Sequence, residues 1–200
     1  VSVTVKAATG QTVTLDLSPS NNPNEINLGL LGTQDATNRS SIEEPLAAWT
    51  INGVSFTTRN LLKFDLSSIP ANATIVSADL YMYSDTIPQN GDLIHANYGA
   101  DNSFSVQQVA TSWDTSTVNW SDQPAGLTAN QVIVPTTALP FLNVDINVKA
   151  MISSMVSSNA NYGFKLQLQN EVLYTSRIFC SSNYSDASRH PRLVVKYIKY

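Results

Sequence analysis

Across residues 59–83, apolar and polar side chains alternate on both sides of a turn. Leu62, Phe64 and Leu66 interleave with Leu61, Lys63 and Asp65, and after the turn Ala78, Leu80 and Met82 interleave with Asp79, Tyr81 and Tyr83. A period of two predicts two half-buried strands, each with a core face and a wetter face, and places this pair at the centre of a β-sandwich. Residues 67–74 form the turn, since Pro70 fixes one backbone angle and Asn72 tolerates a left-handed one.

The same rhythm runs through most of the chain. Val1, Val3 and Val5, then Val13, Leu15 and Leu17, predict two opening strands about a Thr9-Gly10 turn, and residues 18–24, with two prolines and three asparagines, read as a loop. Short strands are expected at 26–32, 93–98, from 105 onward and at 131–135. In 162–170, Phe164, Leu166 and Leu168 face inward while Lys165, Gln167 and Gln169 face outward; 174–182 and 192–200 complete the set. Cys180 alternates with Ile178 and reads as a small buried residue.

Two stretches depart from the pattern. Residues 33–58 lose periodicity and read as a long loop of the kind that carries binding, interrupted by a two-residue hairpin signal, Asn52-Gly53. In 143–161, Val148, Ile152, Met155 and Val156 recur at three and four residues, predicting one short helix over about 145–158, with Asp145 or Asn147 as its cap and Met151 and Met155 as core filler. The resulting fold class is all-β: a single jelly-roll-like β-sandwich domain over residues 1–200 with one short helix.

Composition narrows the function. Charged residues are 13% of the chain, Ser, Thr and Asn abound, and the formal net charge is −4. This is the look of an exported sheet protein; nucleic-acid binding would need a basic face. No apolar run is long enough to span a membrane, Val1 reads as a processed or trimmed end, and any signal or anchor lies outside the visible chain. A single cysteine excludes an internal disulfide.

Several motifs in order carry a likeness. Arg59 through Leu66 with Ile69-Pro70, Ala78 through Tyr83, Trp113 to Trp120 ahead of Pro124, Asn161 through Phe164, and Phe179 through Pro191 to Tyr197 together resemble the DNRLRE-type domains. The resemblance spans residues 59–200 and more loosely the part before. It implies a jelly-roll module of large exported bacterial polypeptides, extracellular or at the cell surface, with an accessory or adhesive role; one branch is classed with carbohydrate-binding modules for alginate-like acidic polysaccharide. It carries no ligand-binding positions across.

The candidate site follows from the alternation. Arg59, Lys63, Tyr81, Tyr83, Lys165, Gln167, Gln169 and Arg177 form the outward set. On a shared sheet they would make a basic, aromatic strip suited to uronate carboxylates, since arginine can hold two oxygens at once. The same residues on any solvated sheet face would be ordinary surface. Trp49 either stacks on a sugar ring or plugs its loop onto the sandwich. The partner is thus a polysaccharide or, in a stalk or fibre subunit, neighbouring surface-protein chains joined at exposed strand edges. The module is expected to be non-catalytic; the competing enzyme reading is a polysaccharide lyase, for which His95, Tyr98, Arg59 and Gln167 supply the residue types. No cofactor is required, and a structural calcium ion would fall to Asp16, Asp35 and Asp101. Asn-x-Ser/Thr sequences at Asn38, Asn72, Asn119 and Asn183 matter only in a eukaryotic secretory route.

Overall fold

The computed structural model describes residues 10–18 and 24–200. In chain order the strands are β1 (Gln11–Leu17), β2 (Glu25–Leu31), β3 (Gln34–Asp35), β4 (Glu43–Ile51), β5 (Val54–Leu62), β6 (Thr74–Met82), β7 (Asn97–Tyr98), β8 (Phe104–Val109), β9 (Gly126–Val134) and β10 (Val144–Asn147). Helix α1 (Lys149–Ser158) follows, then β11 (Phe164–Leu168), β12 (Thr175–Cys180) and β13 (Arg192–Lys199), with a 3-10 turn at Ala187–Arg189. The strand expected at residues 1–5 and most of the loop at 18–24 lie outside the described residues.

Two sheets face each other, as the sequence predicts for a sandwich. One has four strands in the order β1-β13-β6-β10; the other has nine, β7-β12-β4-β5-β11-β8-β9 with β2 and β3 added beside β5. All the pairings are antiparallel. The central pair of the sequence pattern is not a hairpin. β5 lies in the larger sheet and β6 in the smaller, so the Pro70 turn carries the chain from one layer to the other. Its ends are tied by Ile69 N–H to Leu66 O (3.0 Å) and Ala73 N–H to Pro70 O (2.8 Å).

The main core fills the space between the layers. Leu62, Phe64, Leu80, Met82, Phe104, Phe164, Leu166, Phe179, Leu193 and Val195 meet there, with Val13, Leu15 and Leu17 of β1 packed against them. Burying each of these side chains stabilises the fold by about 1.5–3 kcal/mol. Tyr81 and Tyr83 stay half-buried on the other face of their strand, as the alternation predicts. Leu61 does not follow the prediction. It is fully buried with Ile26, Leu28, Val109 and Val118 under a second apolar layer that includes Trp113 and Trp120. The corner 113–120 packs Trp113, Val118 and Trp120 against Leu61, so the end of β5 is buried on both faces.

The stretch 33–58 is mostly strand rather than loop. β4 escaped the periodicity because it opens Glu43-Glu44-Pro45, residues that signal solvent and turns, yet both glutamates are buried. β5 explains how a proline is tolerated there. Along one edge β5 pairs first with β4 (Val54 to Thr58) and then with β11 (Asn60 to Leu62), while β2 occupies the other edge. The sheet therefore forks at Pro45. Thr58 Oγ1, Asn60 Nδ2 and Asn27 Nδ2 converge on the Pro45 carbonyl at 2.8, 3.1 and 3.4 Å and satisfy polar groups at the fork. The Asn52-Gly53 hairpin is as predicted: both residues have positive φ, 50° and 80°, and Ile51 pairs with Val54.

The helix is present and shorter than expected. Residues 144–147 pair with Met82 to Asp79 of β6, because Val144 and Ile146 still alternate and β6 has a free edge to receive them. Val148, not Asp145 or Asn147, is the N-cap, without a side-chain cap; Asn147, one residue before it, accepts from Lys149 N–H at 3.1 Å through Oδ1, and Asp145 takes no part. Met151, Ile152, Met155 and Val156 enter the main core. At the far end Asn159 adopts the left-handed conformation, and Ala160 N–H closes on Met155 O at 3.1 Å.

Candidate functional site

The strip expected from the alternation is divided by the fold. Tyr81 belongs to the smaller sheet, where its ring lies under Arg192, whose guanidinium is held by both Asp16 oxygens at 2.5 and 2.7 Å, while Tyr83 follows the end of β6 and its carbonyl accepts from Cys180 N–H of β12 at 2.8 Å. Arg59, Lys165, Gln167 and Arg177 belong to the larger sheet, and most are committed to partners. Arg59 forks onto Glu171 at 2.7 and 3.0 Å, bonds Gln123 Oε1 at 3.2 Å and stacks on Trp120 with 4.4 Å to the ring centroid. Lys165 is buried, not outward; its ammonium donates to Pro124 O at 3.2 Å, and burial with Arg59 nearby lowers its pKa to about 8. Gln167 is half-buried and Gln169 exposed. Lys63 edges a cleft of about 440 Å³ between α1 and the turn after β5, whose aromatic lining residue Phe64 is buried.

Arg177 departs furthest from the prediction. Every residue of β12 is buried, because β4 and β7 flank it and both its faces are covered. The Arg177 guanidinium sits against Phe104 and Phe179, bonds Asn102 Oδ1 and Pro135 O at 3.3 Å, and forms no ion pair among the described residues. Burial lowers its pKa to about 10. A buried charge paid for only by neutral dipoles contributes little to stability. Arg177→Met is expected to raise the denaturant midpoint, by about 1 kcal/mol in unfolding free energy, with no change in glycan affinity.

A different group of residues forms a surface suited to a sugar. Trp49 points its edge-to-face contacts at two tyrosines, Tyr98 at 5.4 Å and Tyr174 at 5.1 Å between ring centroids. Trp49 is half-buried, whereas Tyr98 and Tyr174 are 41% and 50% exposed. Both sequence alternatives for Trp49 thus hold in part: it anchors, and the rings it anchors remain open. Tyr98 comes from β7 and Tyr174 from the residue before β12, held by its N–H on Ala48 O at 2.8 Å. Beside Trp49 lies a cleft of about 240 Å³ lined also by Ile51, Phe56, Gln89, Asn90, Gly91 and Leu93. On the other side of Tyr98 a second cleft, about 290 Å³, is lined by His95, Asn97, Asn102 and Thr137.

Backbone strain is concentrated at this surface. Among the described residues five non-glycine residues have positive φ; three are asparagines, which tolerate it, and the two bulky ones are Leu93 (62°) and Tyr174 (64°). Each such residue costs about 1–3 kcal/mol and persists where surrounding structure imposes it. Both border the aromatic group.

The loop that walls the cleft is held from below. Glu43 at the start of β4 accepts from Gln89 N–H at 2.5 Å and from Asn90 Nδ2 at 2.6 Å. Burial, with Asp85 beside it, raises its pKa to about 7. The next glutamate, Glu44, is buried with Glu25, whose two oxygens accept from Ser182 N–H at 3.0 and 3.1 Å. Desolvation raises both pKa values, and Glu44, beside another carboxylate, is raised the further.

The lyase constellation does not assemble. His95 and Tyr98 share a cleft, with His95 Nδ1 at 2.8 Å from Asp92 Oδ2, while Arg59 and Gln167 do not line it. The three aspartates considered for calcium are separately engaged: Asp16 with Arg192, Asp35 with Trp120 N–H and Thr37, Asp101 with Ser103 and Asn170. Cys180 is buried, with its pKa pushed up to about 12 by desolvation. Alkylation by iodoacetamide at pH 8, followed by mass spectrometry, is expected to leave it unmodified in the native protein and to label it in denaturant.

Tyr174, Gln89, Asn90 and Leu93 were not legible as site residues, because the contacts joining them run between four separate segments. Asn90-Gly91 was the available signal, a turn placed opposite a tryptophan. No curated protein matches the chain. Residues 32–197 match the family described as carbohydrate-binding module family 96, and by this match over most of its length the chain belongs to that family.

Proposed function

We propose that the chain is a non-catalytic, extracellular polysaccharide-binding module whose contact surface is the aromatic group Trp49, Tyr98 and Tyr174 with the cleft beside it. The observation that carries this reading is the pair of half-exposed tyrosine rings fixed edge-on by one tryptophan, on strained backbone. Aromatic faces take the apolar face of a pyranose, and the amides of Gln89 and Asn90 suit its hydroxyls. No Lys or Arg lines either cleft; of the basic side chains expected to read uronates, Arg59 is paired, Lys165 and Arg177 are buried, and Lys63 borders a different cleft. Neutral glycans are therefore the class this surface fits, in place of the acidic polysaccharide that the family resemblance suggests. Low charge content and the likeness to DNRLRE-type domains support an exported setting.

The test is a glycan array with the isolated chain, followed by calorimetry on neutral β-glucan or xylan and on alginate. Retention on neutral chains supports the reading. Binding confined to alginate, or abolished by charge changes at Arg59 and Lys63 alone, would overturn it. A second reading, assembly with neighbouring copies, draws support from β1, an edge strand of the smaller sheet. Light scattering that grows with concentration, without retention on any glycan, would favour it.

A further inference from the structure

We propose that Glu43 and Asp85 together bind a divalent cation, calcium by their chemistry, beneath the loop that walls the aromatic cleft. The two side chains are each about 1% exposed, and both hold the same loop, Glu43 through Gln89 N–H and Asp85 through Ile87 N–H. Each is dressed as an anion. Glu43 accepts from Gln89 N–H and Asn90 Nδ2, one on each oxygen; Asp85 Oδ1 accepts from Ile87 N–H at 2.9 Å and Tyr184 O–H at 3.2 Å. Asp85 Oδ2 is buried and has no partner among the described residues.

No ion pair among the described residues answers this charge. Arg189 reaches the neighbouring residues, but it donates to Ser84 O and to Thr86 Oγ1 and forms no ion pair with either carboxylate among the described residues. Cys180, the residue opposite Glu43 in the adjoining strand, is a neutral thiol. Two adjacent buried carboxylates either share a proton or take a cation.

Access and ligand type favour the cation. A cleft of about 270 Å³ lined by Asp85, Gln89, Asn183 and Tyr184 reaches the Asp85 side of the pair, giving an entry path and room for water. All the donors are hard oxygens, which select calcium or magnesium over softer metals. Calcium tolerates an irregular shell of six to eight oxygens, whereas magnesium demands a near-ideal octahedron. Two carboxylates without a third acidic ligand among the described residues place the affinity with extracellular modules, Kd about 10⁻⁴–10⁻³ M. These are not the aspartates the sequence suggests. Glu43 opens β4 and Asp85 lies in the loop after β6, far apart in sequence, and Glu43 sits in the stretch that reads as a loop.

The experiment uses the whole chain after chelation, at pH 8, where the shared proton is largely lost. Calcium is expected to raise Tm by about 5–10 °C at a hundredfold excess over Kd, with sodium at equal ionic strength giving no such rise. Terbium should bind the same site and emit on tyrosine excitation, since Tyr184 touches Asp85, with calcium displacing the signal. Glu43→Gln and Asp85→Asn should each remove both responses; should either fail to fold, Tyr184→Phe should dim terbium emission while keeping the calcium rise in Tm. A pair that only shares a proton gives one Tm with and without calcium at every pH and no displaceable terbium emission, and that result overturns the proposal. Glycan binding is not needed for any of these readouts, so the cation site and the glycan surface stand or fall separately.

Discussion

Trp49→Ala is expected to weaken polysaccharide binding about 30-fold, the equivalent of a 2 kcal/mol hot spot. Its ring is the shared edge-to-face partner of Tyr98 and Tyr174. Its loss therefore removes one apolar contact and frees the other two rings to reorient. Tyr98→Ala and Tyr174→Ala each remove one exposed ring and should weaken binding about tenfold, the value of one 1.4 kcal/mol contact. Trp49→Phe should recover part of the affinity, because it restores an aromatic edge. Trp49 is half-buried at the sheet surface rather than in the main core, so circular dichroism should show the fold retained. Arg59→Ala and Lys63→Ala are the contrasting set. Arg59 already spends its guanidinium on Glu171 and Trp120, and Lys63 borders a different cleft, so both should bind within twofold of the parent. Calorimetry with one neutral oligosaccharide separates the two surfaces: if the strip variants lose binding and Trp49→Ala keeps it, the site lies on the strip.

The contrast between the two surfaces also marks where sequence reasoning reaches. Alternation finds strands that have one wet face, and β6 and β13 behaved that way, with Leu80 and Val195 inward. It fails for strands covered on both faces. β12 is apolar-facing throughout, so the outward position assigned to Arg177 had no water to face. β4 was hidden for the opposite reason. Two glutamates and a proline look like a surface loop, and only a forked sheet with side-chain amides on the Pro45 carbonyl makes them a strand. The aromatic surface was partly visible in Trp49 and Tyr98, but Tyr174 could be joined to them only by the β4–β12 register, in which Ala48 pairs with Thr175. Sheet order is a property of long-range contacts, and a period of two says nothing about which strand lies beside which.

Thermal stability measured in chelator should be highest near pH 5 and fall as the pH rises to 8, the reverse of the trend set by ion-paired carboxylates. The reason lies in Glu25, Glu43 and Glu44, all buried with pKa values raised above the ordinary carboxyl range. A carboxyl whose folded pKa exceeds its unfolded value of about 4.3 binds more protons when folded than when unfolded at intermediate pH. Its favourable, protonated state is fully available below the unfolded pKa, and stability is lost as pH climbs toward the folded one. For Glu43, raised to about 7, the loss over that window is about 3 kcal/mol. Glu44 is raised well above the ordinary range by burial and by Glu25, and Glu25 itself accepts twice from Ser182 N–H, so within this pair Glu44 is the one that keeps the proton. Glu44→Gln replaces that protonated carboxyl by an amide that can still donate toward Glu25 and never ionises. It should match the parent near pH 5, exceed it at pH 8, and flatten the fall by up to about 1.4 kcal/mol per pH unit wherever Glu44 titrates. Urea unfolding at pH 5, 6.5 and 8 reads both slopes. A parent whose stability climbs steadily from pH 5 to 8, or a Glu44→Gln variant with an unchanged slope, would mean that these carboxyls are not held neutral by the fold.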